Sequence, residues 1–175
     1  EIFEAPEVIE NTLRGRLKID TGESKLGGLE SIAHRLKNIQ RLHIIGCGSA
    51  YYAGQVGRYM LEEYARLPVE VELGSEYRYK KAYPDKRALA LFVSQSGETA
   101  DTRASLEKAK SLGLTSIGMV NVVGSAISRE VDAGIYNHAG PEVAVASTKA
   151  FLSQLTAFAL LTLFNWVNPA MQTVY

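Results

Sequence analysis

A run of hydroxyl residues around one glycine has the strongest potential for chemistry. It reads Ser94-Gln95-Ser96-Gly97-Glu98-Thr99 and lies between an apolar strand and a helix predicted to start at Ala100. The first N–H groups of a helix lack partners within the helix, and the helix dipole adds partial positive charge, so such a turn can bind an anion. The hydroxyl groups of Ser94, Ser96 and Thr99 add donors for phosphate oxygens.

Two other interpretations of this loop stay open. Ser96 or Thr99 can be a simple N-cap, a role in which these residue types are strongly preferred. Glu98 would repel an anion, but its side chain can instead cap a helix and point away. We favour the anion site, because three hydroxyl groups around one glycine are more than capping requires.

A second glycine turn, Gly46-Cys47-Gly48-Ser49, follows an earlier strand. A dinucleotide-binding fingerprint would need a third glycine where Tyr51 stands, and an acidic residue such as Glu70 or Glu72 in the next strand is a weak signal. A nucleotide-binding oxidoreductase is therefore disfavoured. Cys47 has no histidine or aspartate near it in sequence, so we expect a small buried thiol rather than a nucleophile.

The segment Gly140–Lys149 is the third candidate, since it precedes a long apolar helix. Ser147 or Thr148 is predicted to cap that helix. Lys149 stands in its first turn, against the preference set by the helix dipole, unless an anion or an acid compensates. A solvated lysine is the alternative.

No metal or cofactor is expected. The three histidines, His34, His43 and His138, lack ligand spacing, and a single cysteine makes neither a disulfide nor a cysteine metal cluster. The sequence also contains neither the phosphate-binding loop motif of nucleoside triphosphatases nor the nucleophile-elbow motif of hydrolases.

Short apolar runs alternate with helical patterns along most of the chain. A helix with Pro6 in its first turn and a second over Leu29–Ile39 come first. The alternating part has predicted strands at Leu42–Ile45, Val69–Leu73, Ala88–Val93, Ser116–Val120 and Ala133–Tyr136, and predicted helices at Ala50–Ala65, Ala100–Leu112 and Ser147–Val167. This order predicts an α/β fold, a parallel sheet with helices on both faces. Ligands bind beyond the carboxyl ends of such strands, which selects the loops that start at Gly46, Ser94, Asn121 and His138.

Composition limits the class of protein further. The chain has 175 residues, 19 basic and 19 acidic side chains and 46% hydrophobic residues. These values fit one globular domain, and the balanced charge argues against a nucleic-acid partner. The most apolar stretch, Leu155–Phe164, is too short to cross a bilayer, and no signal peptide opens the chain, so no membrane role and a cytoplasmic location are expected. The chain lacks an initiator methionine, which indicates a fragment of a longer protein.

Three segments together resemble the sugar isomerase (SIS) domain family. They are Cys47-Gly48-Ser49, the run from Ser94 to Thr102, and Val145-Ala146-Ser147-Thr148-Lys149-Ala150-Phe151. The flanks from Glu1 to Pro6, from Asn11 to Arg16 and from Gly74 to Tyr79 agree with the same family. The resemblance is closest to the first of two isomerase repeats in enzymes of hexosamine synthesis. It implies a flavodoxin-like three-layer αβα sandwich with a five-stranded parallel sheet, binding fructose 6-phosphate or glucosamine 6-phosphate.

The resemblance also assigns the site residues. Ser94, Gln95, Ser96 and Thr99 would hold the phosphate, and the sugar would contact Cys47, Gly48, Ser49, Val145 and Ser147. The family usually has a hydroxyl residue where Ala50 stands, so one sugar contact differs. The catalytic acid–base residues of the family lie in a second repeat and a tail, so no catalytic residue is expected here, and the isolated chain should be inactive.

The same resemblance implies two parts of the chain and leaves other functions open. Residues 1–40 would be N-terminal helices and residues 41–175 a single sugar-phosphate-binding domain, in a protein that forms a dimer. A sugar-phosphate-sensing module of a regulator is an alternative, although the zero net charge argues against the DNA-contacting surface that such regulators carry. A further alternative is another SIS-family isomerase or a deglycase.

Overall fold

The structure is a computed structural model that describes residues 1–81 and 85–164. Its strands, in chain order, are β1 (Leu17–Lys18), β2 (Glu23–Ser24), β3 (Arg41–Gly46), β4 (Val69–Leu73), β5 (Ala88–Ser94), β6 (Thr115–Val120) and β7 (Ala133–Tyr136). Its α-helices are α1 (Ala5–Leu13), α2 (Ala33–Leu36), α3 (Ser49–Tyr64), α4 (Gly74–Tyr77), α5 (Ala100–Ser111), α6 (Ala126–Glu130) and α7 (Lys149–Thr162).

Five of the strands form one parallel sheet in the order β4-β3-β5-β6-β7. Every residue of the central strand β5 is buried, because helices cover both faces of the sheet. Helices α1, α3 and α7 pack together on one side, and α4, α5 and α6 lie on the other. This arrangement confirms the predicted three-layer α/β fold.

The helices α3 and α7 approach each other closely at Gly57. A Cβ atom at this position would lie 2.4 Å from Cδ1 of Phe158, whose ring is fully buried. Only glycine allows that distance, since carbon atoms in contact lie about 3.5–4.0 Å apart. The two helices are therefore fixed against each other near their middles.

The N-terminal part differs from the prediction. The helix predicted over Leu29–Ile39 is replaced by a 3₁₀-helix, Gly27–Ile32, and the single-turn helix α2. Leu29, Ile32, Leu36 and Ile39 are nevertheless all buried. Before them, β1 and β2 form an antiparallel pair.

An aspartate ties the start of β6 to the segment before β7. Asp132 Oδ2 accepts hydrogen bonds from the Ser116 backbone N–H and hydroxyl, each at 2.8 Å, and its Oδ1 lies 3.2 Å from Nη1 of Arg35. Burial raises the pKa of the Asp132 carboxyl, but the Ser116 donors and Arg35 outweigh it, so the pKa lies below the usual 3.8. The ionised carboxylate is the form that this contact stabilises.

Helix α7 begins at Lys149 rather than at the predicted Ser147, and the predicted end at Val167 lies outside the described residues. Among the residues that the structure describes, no helix is both long and apolar enough to span a membrane.

Candidate functional site

The carboxyl edge of the sheet has one point where the strand order reverses. The chain passes from β3 outward to β4 and then returns to place β5 on the other side of β3. Gly46 pairs with Val93 in the register of β3 and β5, so the turns after these two strands begin side by side. Ligands of open α/β sheets bind at such a reversal. The fold therefore brings together the Cys47–Ser49 turn and the loop that starts at Ser94.

Hydroxyl groups shape the loop after β5. The Ser94 hydroxyl is buried, accepts a hydrogen bond from the Gly97 N–H at 3.0 Å and lies 2.9 Å from the Thr99 hydroxyl. The Ser96 hydroxyl accepts from the Glu98 N–H at 3.1 Å. Thr99 occupies the N-cap position of α5, yet its side chain makes no capping hydrogen bond to that helix. Simple capping therefore does not account for these hydroxyl groups.

The segment after β6 holds the opposite side of this loop. The Gln95 carbonyl accepts from the Asn121 N–H at 3.2 Å, and the Gly97 carbonyl accepts from the Ile127 N–H at 3.0 Å. Gly97 has a φ of 68°, and a Cβ atom there would lie 2.0 Å from Oγ of Ser125. A side chain at position 97 would therefore be strained by both its backbone conformation and a clash.

Glu98 points away from the loop. Its Oε1 accepts a hydrogen bond from the Ala126 N–H at 2.7 Å, at the first residue of α6. The carboxylate thus interacts with the N-terminal end of a different helix from the one it precedes, where negative charge is favourable. One oxygen of this carboxylate therefore faces the start of α6 rather than the start of α5.

The turn after β3 lies against α5. Gly48 adopts a φ of 56° immediately before α3 begins at Ser49. Cys47 is half-buried, and its Sγ lies 3.6 Å from the Thr102 hydroxyl of α5. The thiol is therefore less enclosed than the predicted buried cysteine. Ala50 is buried behind this turn.

The third candidate loop follows the carboxyl end of β7 and leads to α7. The Val145 side chain is completely exposed, while the Ser147 hydroxyl accepts from the Phe151 N–H at 3.1 Å. Glu142 supplies further capping, since its Oε1 accepts from the N–H groups of Thr148 at 2.8 Å and Ala150 at 3.2 Å. The sequence left Ser147 and Thr148 open as capping residues; the Ser147 hydroxyl accepts at this helix start, the Thr148 side chain does not cap it, and the role of Glu142, six residues before Thr148, was not predicted.

Lys149 is buried rather than solvated. Its Nζ donates to Oε2 of Glu4 at 2.6 Å, and its side chain is only 4% exposed. The hydrogen bond from Lys149 is the main reason that the pKa of Glu4 lies below its ordinary value. An acid thus compensates the unfavourable position of this lysine in the first turn, one of the two possibilities that the sequence left open.

A separate open cleft of about 700 Å³ lies further along the same edge. Its walls come from α1, the end of β6 and the segment after β7, and its lining residues are Asn11, Arg14, Asn121, Val122, His138, Gly140 and Pro141. Desolvation, with a contribution from the positive charge of Arg16, lowers the pKa of His138. The cleft is lined neither by the loop of Ser94 nor by the turn of Cys47.

One group of side chains has the donor types that a metal ion prefers. Ligand atoms of His43, Glu70 and Glu72 lie within 4.8 Å of one another, because the parallel register pairs His43 with Glu70. The Lys80 ammonium already lies 3.2 Å from Glu70 and 3.0 Å from Glu72. Since this lysine supplies the positive charge, we assign no metal to the group.

Most of the chain matches one family. The sequence model of the SIS domain family matches residues 35–164, so the chain belongs to this family.

Particular members are similar over nearly the whole chain. It is 47% identical over 163 residues to a glutamine–fructose-6-phosphate aminotransferase [isomerizing] of Chlorobaculum tepidum, and 49% identical over 164 residues to that of Thermus thermophilus. These alignments cover 93% and 94% of this chain but 26% of each relative, so the chain spans about a quarter of their length. The C-terminal domain of the Francisella tularensis glucosamine-fructose-6-phosphate aminotransferase superposes with a TM-score of 0.87 at 37% identity, covering 97% of this chain and 49% of that domain.

Proposed function

We propose that the chain is the first sugar isomerase repeat of a glutamine–fructose-6-phosphate aminotransferase and that it binds a hexose 6-phosphate. The ligand would be fructose 6-phosphate or glucosamine 6-phosphate, in hexosamine synthesis. The observation that carries the proposal is the loop from Ser94 to Thr99 at the reversal point of the sheet, in a chain nearly half identical to such enzymes.

The phosphate would bind to Ser94, Gln95, Ser96 and Thr99. In the structure, the Ser96 hydroxyl accepts from the Glu98 N–H, a role that a phosphate oxygen can take over. The hydroxyl would then donate to the same phosphate. The start of α5 adds a favourable field, because its dipole places partial positive charge beside the loop.

The sugar would contact the two flanking turns. Cys47, Gly48 and Ser49 adjoin the phosphate loop through the register of β3 and β5. Val145 and Ser147 would approach from the third loop, and the complete exposure of Val145 leaves its side chain free for such a contact. These assignments, and the division into residues 1–40 and 41–175, are part of the proposal.

Turnover would require the rest of the enzyme. Aldose–ketose isomerisation needs a base and an acid within reach of the sugar carbons. Glu98 is the only carboxylate in the phosphate loop, and it is bound to the start of α6. We therefore propose that this chain supplies substrate binding, in a cytoplasmic, dimeric protein whose remaining part supplies the acid and base.

The regulator alternative, like that of another isomerase or a deglycase, is less favoured. The relatives with 47% and 49% identity that cover almost the whole chain are aminotransferases, and the balanced net charge argues against a DNA-contacting surface.

Calorimetric titration with glucosamine 6-phosphate tests the phosphate assignment. Ser96→Ala should weaken binding by about tenfold or more, because a hydrogen bond to a charged group contributes roughly 1.5–3 kcal/mol. Ser111→Ala, at the far end of α5, is the matched control and should bind as the wild type does. Equal affinities of wild type and Ser96→Ala would rule out the assignment.

A further inference from the structure

Two carboxylates near the start of the chain hold the loop that precedes α7. The 3₁₀-helix Ile2–Glu4 separates Glu1 from α1. The Glu1 carboxylate accepts from the N–H groups of Val143 at 2.6 Å and Ala144 at 3.1 Å. The Glu4 carboxylate accepts from the Lys149 ammonium at 2.6 Å. The first residues of the chain thus contact the loop at Val143 and Ala144 and the start of α7 at Lys149.

These two contacts enclose the residues assigned to the sugar. Val145 and Ser147 stand between the amides held by Glu1 and the lysine held by Glu4. The loop itself has no regular secondary structure from Asn137 to Thr148. Without external contacts, ordering such a segment on binding would cost conformational entropy and reduce affinity.

The pKa values of the Glu1 and Glu4 carboxyls indicate that these contacts stabilise the ionised carboxylates. The pKa of Glu1 lies below its usual value, chiefly because of the hydrogen bond from Val143, and that of Glu4 is lowered chiefly by the bond from Lys149. Lys149 is buried, so its ammonium depends on the Glu4 carboxylate for compensation.

We propose that Glu1 and Glu4 are positioning residues for sugar recognition. They preorganise the loop from Val143 to Lys149, so that Val145 and Ser147 meet the hexose ring without a further ordering cost. Neither carboxylate touches the sugar. The loop from Ser94 to Thr99 is held by its own hydroxyl groups and by the segment after β6, not by Glu1 or Glu4. The inference rests on the proposed function, because it assumes that Val145 and Ser147 contact the sugar.

The test compares a sugar phosphate with inorganic phosphate. Glu4→Gln removes the charge at nearly constant volume. We expect it to weaken glucosamine 6-phosphate binding by about three- to tenfold while leaving the affinity for inorganic phosphate unchanged, as measured by calorimetric and chemical-shift titrations. Glu7→Gln, an exposed carboxylate on α1, is the matched control and should change neither affinity.

The outcomes separate the two proposals. A wild type that binds neither ligand overturns the proposed function and with it this inference. A wild type that binds glucosamine 6-phosphate as tightly as Glu4→Gln overturns the positioning role alone. Equal weakening of both ligands also overturns it, because a general loss of structure would act on both.

A second variant keeps the proposal testable if Glu4→Gln fails to fold. Glu1→Gln removes charge at a partly exposed position and weakens the acceptor for Val143 and Ala144. We expect faster hydrogen exchange at these two amides and a smaller loss of sugar-phosphate affinity. Unchanged exchange together with unchanged affinity would overturn the role of Glu1.

Discussion

Ser94 and Thr99 face each other across the turn after β5, with their hydroxyl oxygens 2.9 Å apart. The same Ser94 oxygen accepts from the Gly97 N–H, so one buried hydroxyl connects the end of the strand, the middle of the loop and the start of α5. The shape of the candidate phosphate loop therefore depends on Ser94 even when no ligand is bound.

Replacement of Ser94 by alanine should reduce the free energy of unfolding by about 1–3 kcal/mol. The buried Gly97 N–H would lose its acceptor, and a buried donor without a partner carries its full desolvation cost. Urea denaturation of the variant and of Ser111→Ala, which removes an exposed hydroxyl, makes the comparison. Equal midpoints for wild type and Ser94→Ala would show that the loop is not held by this hydroxyl.

The isolated chain should have no measurable isomerase or synthase activity. The candidate phosphate loop offers hydroxyl groups and amides, and the Glu98 carboxylate accepts a hydrogen bond from the Ala126 N–H. Incubation with fructose 6-phosphate, with and without glutamine or ammonia, followed by assays for glucose 6-phosphate and glucosamine 6-phosphate, measures this directly. Turnover that disappears in Glu98→Gln would contradict the proposal that the acid and base lie in the rest of the enzyme.

Gly57→Ala should lower the free energy of unfolding by about 1–3 kcal/mol, as is usual for overpacked cores. The added methyl carbon would lie 2.4 Å from Cδ1 of the Phe158 ring. The double variant with Phe158→Leu should lose less than the sum of the two single changes, since the smaller side chain leaves room for the methyl group. Strict additivity in thermal or urea unfolding would argue against this contact.

The charge of Asp132 should stabilise the fold in a pH-dependent way. Its pKa is lowered on folding, so the contribution is present above the unfolded value near 3.8 and is lost as the pH falls through the folded value. The difference in unfolding free energy between wild type and Asp132→Asn should therefore shrink from about pH 5 to about pH 2. Asp20→Asn, at an exposed aspartate, is the control. A difference that stays constant over this range would show that the charge contributes nothing.

The strands were the most predictable part of the fold. The strand predicted at Ala133–Tyr136 has the observed bounds, and that predicted at Ala88–Val93 ends one residue early. Apolar runs of this length, flanked by turn residues, leave few alternatives. The segment over Leu29–Ile39 was different, because apolar residues three apart suit a 3₁₀-helix as well as an α-helix. Leu29, Ile32, Leu36 and Ile39 are buried there while Ala33 is exposed, and the predicted helix type was wrong.

The contacts that complete the candidate site could not be predicted. The pairs Glu98–Ala126 and Glu4–Lys149 join residues that are 28 and 145 positions apart. No local pattern marks such partners, because they depend on which helix packs against which strand. The convergence of His43 and Glu70 likewise depends on the register of two parallel strands.

The close approach of α3 and α7 at Gly57 bears on the spacing of the two candidate loops that precede these helices. Helix α3 starts directly after the turn of Cys47, and α7 starts directly after the loop of Ser147. Because the two helices pack closely at Gly57, the two segments proposed to contact the sugar lead into one packed pair of helices. We therefore expect the distance between the starts of α3 and α7 to be the same with and without a bound sugar phosphate.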